Sequence, residues 1–161
     1  MLTQEQVRQI FVYEPERGML RKVVRCRKAY PWRRTGKGGR YLITTVGGKE
    51  YYLHRLVWLY HFGTHPEMID HKDGDTFNNR IENLRECTNA QNQYNGRRKV
   101  TNRSGVKGVV WYSVGNYERW CARITINGKR KTIGYFRRIE DAAEAYFEAA
   151  KHVAKEFARR D

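Results

Sequence analysis

The sequence contains no unbroken apolar run of about 18 residues, and its opening, "MLTQEQVRQIF", lacks a basic-then-apolar leader pattern. A bilayer-spanning helix and a secretion signal are therefore not expected. The chain reads as a soluble cytoplasmic protein with no membrane partner. Cysteine is sparse: Cys26, Cys87 and Cys121 lie far apart, with no C-x-x-C pair. That excludes a disulfide framework, a zinc knuckle and a redox pair, and leaves reduced, half-buried thiols as the expectation. Internal repeats and low-complexity tracts are also missing, so a solenoid is excluded. Acidic residues are few. Against 32 Lys+Arg there are 17 Asp+Glu, a formal net charge of +15 and a pI near 10.0.

A charge so far from zero points to a polyanionic partner, nucleic acid first and an anionic membrane surface as its rival. The excess is uneven. Residues 1–65 carry 13 basic and 4 acidic side chains, residues 66–103 carry 7 and 6, and residues 104–161 carry 12 and 7. Two basic flanks thus enclose a nearly neutral centre, as suits a chain that grips phosphates at its ends and holds a cation in the middle. With 161 residues and 40% hydrophobic composition, small lobes are expected rather than one large core.

Short strands and turns dominate the first third. In "GGRYLITTVGGKEYYLH", Tyr41, Ile43 and Thr45 alternate with Leu42, Thr44 and Val46 before Gly47-Gly48, the pattern of a hairpin. Leu53, Leu56, Val57 and Tyr60 follow at helical spacing, with Gly63 placed to end the helix. Upstream, Arg and Lys scattered among Tyr30, Trp32 and glycines read as a phosphate-contacting loop. "RRKVTNRS" reads as a linker. Beyond it, "VKGVVWYS", "RWCARITI" and "KRKTIGYF" read as three strands, and Ile139, Ala142, Ala143, Tyr146, Phe147, Ala150, Val153 and Phe157 as one stripe of a closing helix. The expected domains are residues 1–96, a linker at 97–103, and 104–161.

The centre, "MIDHKDGDTFNNRIENLRECTNAQNQYN", is rich in acids and asparagines. Asp70 and His71 end a short apolar run, "KDGDTFNN" forms a turn, "IENLREC" reads as a second strand, and Thr88 with Gln91 makes a capping box that opens a helix. A helix packed across the hairpin would bring Asp70, His71 and Asn92 together. Carboxylate and amide oxygens suit Mg²⁺ or a similar hard ion. A histidine beside such an ion can take a proton from water. Metal, base and phosphate together describe phosphodiester hydrolysis.

This stretch resembles the HNH nucleases, specifically the homing type in which the last histidine is asparagine. The resemblance rests on Asp70-His71, on Asn83-Leu84 with Asn83 twelve residues after His71, and on Asn92 nine residues further on. It implies an α+β fold with a central ββα-metal motif behind N-terminal β-hairpins. In that motif Asp70 and Asn92 bind the metal, His71 activates water and Asn83 braces the loop that positions His71. The implied metal is Mg²⁺, or Mn²⁺ in its place, without zinc and without a small-molecule cofactor. His54 is expected to be structural.

The last third has its own resemblance. "GVKGVVWY", "WCARITI", "TIGYF" and "IEDAAEAYFEAA" resemble the plant ethylene-response-factor (APETALA-type) DNA-binding domain, a three-stranded antiparallel sheet on one helix that also accompanies phage and mobile-element HNH nucleases. It implies contacts to double-stranded DNA from Lys107, Tyr112, Arg123, Thr125, Arg130, Thr132 and Tyr135, although Val110 and Thr132 depart from the Arg and Trp usual there. The combined expectation is a monomeric HNH DNA endonuclease in a bacterial or phage-infected cell. Its alternatives are a catalytically silent DNA-binding regulator on the same scaffold, and an RNA-binding or membrane-surface protein.

Overall fold

A computed structural model of the chain describes residues 1–23, 32–35, 39–96, 102–126 and 128–158. Cys26, Tyr30 and most of the linker expected at 97–103 lie outside the described residues. The chain divides into two compact units, Met1–Cys87 and Thr88–Asp161. Among the described residues no helix is long and apolar enough to cross a bilayer.

The first unit opens on a helix where strands and turns were expected. Thr3 accepts a hydrogen bond from the Gln6 amide while the Gln6 side chain accepts one from the Thr3 amide, a reciprocal cap that starts α1 (Gln4–Ile10). β1 (Phe11–Glu14) and β2 (Met19–Lys22) then form an antiparallel hairpin. The expected Gly47-Gly48 turn joins β4 (Leu42–Val46) to β5 (Lys49–Tyr52), with β3 (Arg33–Arg34) on the other edge of β4. α2 (Leu53–Phe62) ends at Gly63 in the left-handed conformation, a position that suits glycine because it carries no Cβ. Val7, Phe11, Leu20, Leu53, Leu56, Val57 and Leu59 make the core, closed by Ile69 and Leu84 from the next hairpin. That hairpin pairs β6 (Ile69–His71) with β7 (Leu84–Glu86). The strand expected through "IENLREC" begins only at Leu84, because Ile81–Asn83 is a 3-10 turn closed by Asn83 N–H on the Arg80 carbonyl at 2.9 Å.

The second unit begins with α3 (Asn89–Asn95), started by the expected Thr88–Gln91 capping box. β8 (Val109–Val114), β9 (Tyr117–Ile126) and β10 (Lys129–Phe136) form a three-stranded antiparallel sheet in the order β10-β9-β8. α4 (Ile139–Ala154) covers one face, where Val109, Ala122, Ile124, Ala142, Tyr146 and Ala150 are buried together. The helical stripe stops earlier than its spacing indicated: Lys155 adopts φ 51° and a 3-10 turn carries Phe157 back to the core. Gly108, at φ 74°, lies so close to Tyr146 that a Cβ there would stand 2.1 Å from the ring. α3 packs against α4 and the closing turn, which is why it belongs to this unit. Cys87 and Cys121 are free thiols and buried, deeper than expected.

The β1–β2 hairpin also presses on the loop that leads to β7. Gly18 has φ 60°, and a Cβ there would lie 2.4 Å from the Arg80 nitrogen and 2.7 Å from the Asn79 carbonyl carbon. Both are backbone atoms that cannot rotate away. Gly18→Ala is expected to cost roughly 2–3 kcal/mol in urea unfolding, and an unchanged midpoint would show that the hairpin is not pressed against this loop.

Candidate active site

The β6–β7 hairpin sets the first two candidate residues. Asp70 and Arg85 are direct cross-strand partners, and Arg85 donates from Nε and Nη2 to the same Asp70 oxygen, Oδ2, at 3.0 and 2.9 Å. Both side chains are nearly buried. His71, 4% exposed, ends β6 with Nε2 at 3.2 Å from Asn79 Oδ1. The Asn79 amide nitrogen donates in turn to the Phe77 carbonyl at 3.0 Å. That orientation leaves Oδ1 as the acceptor, so Nε2 is the ring nitrogen that donates to it.

Between the strands, residues 72–80 are held by side-chain amides. Asn83 Nδ2 donates to Asp73 Oδ1 at 2.9 Å and to the Asn78 carbonyl at 2.7 Å, while its Oδ1 accepts the Asp73 N–H at 3.1 Å. The Asn83 carbonyl accepts the Lys72 N–H at 2.8 Å. Asp73 receives further bonds from Asn78 and from the Asp75 N–H, and these outweigh partial burial to hold its carboxyl below the ordinary range. From outside, the Tyr13 hydroxyl accepts the Ile81 N–H at 3.0 Å, and Arg80 donates through Nε to the Glu16 carbonyl at 3.1 Å.

α2 supplies the neighbouring ring. His54 is buried with its centroid 5.4 Å from that of His71, and Tyr41 lies 5.2 Å from His54 and 6.4 Å from His71. Burial, reinforced by His71 and Arg55, pushes His54 down to about 3. Arg55 ties the approach to β6 by donating to the Pro66 and Glu67 carbonyls at 3.0 and 2.8 Å.

In the second unit, Asn92 sits mid-way along α3, its N–H on the Thr88 carbonyl at 3.0 Å and its carbonyl accepting from Gly96 N–H at 2.9 Å. The register brings six of the seven expected DNA contacts to one sheet face. Arg123 pairs with Thr132 and Thr125 with Arg130, and Tyr135 pairs with Cys121 on the same face. Tyr112 joins them from β8, its ring 5.1 Å from Tyr135. An irregularity between Thr132 and Gly134 shifts the register and turns Tyr135 to the side of Thr132; strict alternation would have separated them. Lys107 is placed differently: its ammonium donates to the Gln93, Tyr94 and Gly96 carbonyls.

Residues 51–94 match the HNH endonuclease family. This HNH segment contains Asp70, His71, Asn83 and Asn92 and ends within α3. Protein 3.8 of Escherichia phage T7 is 34% identical over 79 residues, which cover 48% of this chain and 64% of that protein. The alignment thus takes in less than two thirds of the relative's length. No solved structure matches the chain at a significant level.

Among the described residues no group of three or more His, Cys, Asp and Glu side chains is placed to hold a metal. Of the two residues expected to hold a metal, Asp70 carries a carboxylate in the first unit and Asn92 an amide oxygen in the second, and both are hard donors of the kind that suit Mg²⁺. Sequence reasoning missed Asn79 and Arg85. The second could have been found by pairing the two strands in register; nothing local distinguishes Asn79 from its neighbour Asn78.

His54 yields a test. Its folded value near 3 lies below the ordinary 6.5, so the unfolded chain binds the extra proton and stability falls as pH drops from about 6.5 toward 3. At pH 5 the loss amounts to about 2 kcal/mol relative to neutral pH. Urea unfolding of His54→Leu is expected to show correspondingly less acid sensitivity, and equal sensitivity in both proteins would refute the assignment.

Proposed function

We propose that the chain is a metal-dependent HNH endonuclease of the homing type that hydrolyses phosphodiester bonds in double-stranded DNA. The observation that carries this reading is His71: a buried imidazole inside the HNH-matching segment, held through Nε2 by Asn79. In the proposed reaction Nδ1 takes a proton from water, whose oxygen bonds to phosphorus as the bond from phosphorus to the 3′ oxygen breaks. Asn83 keeps the loop behind His71 in one geometry. Asp70 and Asn92 are the proposed ligands of a divalent ion, Mg²⁺ first and Mn²⁺ next. When bound, such an ion offsets charge on the phosphate and the leaving 3′ oxygen.

Site choice is assigned to the sheet face of the second unit. Tyr112, Arg123, Thr125, Arg130, Thr132 and Tyr135 share that face, and a sheet of this size with one open side is suited to the major groove. The three strands on one helix support the likeness to the ethylene-response-factor domain. As functional domains, residues 1–96 are assigned to the nuclease and 104–161 to DNA binding, acting as a monomer in the cytoplasm of a bacterial or phage-infected cell.

One observation favours a second reading. Arg85 already engages Asp70, as suits a silent scaffold that binds DNA without cutting it. Digestion of supercoiled plasmid with Mg²⁺, beside an EDTA control, separates the two. His71→Ala is expected to lower cleavage by at least about 10²-fold with DNA affinity retained, and cleavage at the wild-type rate would end the mechanism. Arg123→Ala is expected to lose about 1–3 kcal/mol of discrimination between sites; unchanged selectivity would remove Arg123 from the reading face.

A further inference from the structure

α3 has seven residues, Asn89–Asn95, too few to be stable by themselves in water. Its fastenings lie beyond the HNH-matching segment. The Tyr94 side chain packs against the core of Val109, Ala122, Ile124 and Tyr146, and its hydroxyl donates to the Thr125 carbonyl. Lys107 Nζ donates to the carbonyls of Gln93, Tyr94 and Gly96 at 3.0, 2.7 and 2.5 Å. The last carbonyls of a helix have no partners within it, and a cation there also meets the negative end of the helix dipole.

We infer that Lys107 and Tyr94 are positioning residues for the nuclease, because they fasten to the DNA-reading unit the helix that carries Asn92. The inference rests on the nuclease reading and adds a dependence to it. The helix that completes the HNH segment takes its place from residues outside that segment, so cleavage requires the second unit to be folded as well as bound to DNA. Lys107 thereby moves from the reading face, where the sequence resemblance placed it, to the support of a metal ligand. The two roles have opposite signatures. A phosphate contact contributes to affinity and to its salt dependence, whereas a support for α3 affects metal binding and turnover.

The 161-residue chain is compared with Lys107→Met, Lys107→Arg and Tyr94→Phe. Four quantities are measured: Mn²⁺ affinity by electron paramagnetic resonance, the salt dependence of binding to a random-sequence duplex, cleavage of supercoiled plasmid, and amide hydrogen exchange. Lys107→Met is expected to weaken Mn²⁺ binding by about tenfold and to slow cleavage, with the salt slope unchanged and amide-exchange protection lost at Tyr94–Gly96. Lys107→Arg, which retains cationic N–H donors, should restore most of the loss. Tyr94→Phe keeps the ring in the core and should give a smaller loss in the same direction, which separates positioning from general unfolding. A Lys107→Met protein with wild-type Mn²⁺ affinity and a salt slope reduced by about one would overturn the inference and return Lys107 to the phosphate contacts. Failure of the wild-type chain to bind Mn²⁺ or to cleave would instead bring down the nuclease reading, and this inference with it.

Discussion

A buried imidazole must be given a hydrogen-bonding partner, and the partner decides which nitrogen is basic. In the first unit that constraint is met by Asn79, itself 1% exposed, with one amide atom on His71 and the other on the Phe77 carbonyl. A carboxylate in its place would accept from the ring but would set a negative charge in the core. An amide orients the ring without charge. The surrounding contacts serve the same geometry: Asn83 holds the loop from beneath, Arg80 and Ile81 are tied to the β1–β2 hairpin, and Gly18 leaves the hairpin room to sit against the Asn79 backbone. The asparagine-rich centre is therefore a scaffold of neutral donors and acceptors in a chain whose flanks carry the positive charge.

Features encoded over a few residues were legible in the sequence. The Gly47-Gly48 turn, the glycine at the end of α2 and the Thr88–Gln91 box depend on local dihedrals and on groups three or four residues apart. The three strands and the covering helix followed from periodicity. α1 was legible too, through the Thr3 and Gln6 spacing, although a strand-rich reading of the first third passed over it. The rest depends on partners distant in the chain. The 3-10 turn at Ile81–Asn83 reflects hydrogen bonds to Lys72 and Asp73 across the loop, which no window around "IENL" contains. The register shift after Thr132 has the same character: β10 shows it only when laid against β9.

That shift matters to the proposed reading face. In an undisturbed strand Tyr135 would have pointed toward α4, where Ile124 and Ala122 are buried. One extra residue moves its ring beside Tyr112 and Tyr117, and Arg119 stacks over Tyr117. The outcome is a sheet face with aromatic rings toward one end and Arg123, Thr125 and Arg130 toward the other. Rings can meet apolar base edges and sugars, while guanidinium groups and hydroxyls meet phosphates and guanine.

The Asp70–Arg85 pair bears on how the two strands were built. A buried ion pair gives little net stability over apolar residues of similar size, because desolvating both charges offsets most of their attraction. Ile69 and Leu84 already supply apolar closure to this hairpin. Asp70 is thus not explained by the stability of the hairpin, and Arg85 is explained by Asp70, since a buried carboxylate without a cationic partner would be costly. The cost is accepted where the carboxylate serves something other than packing. The proposed metal site assigns it that service.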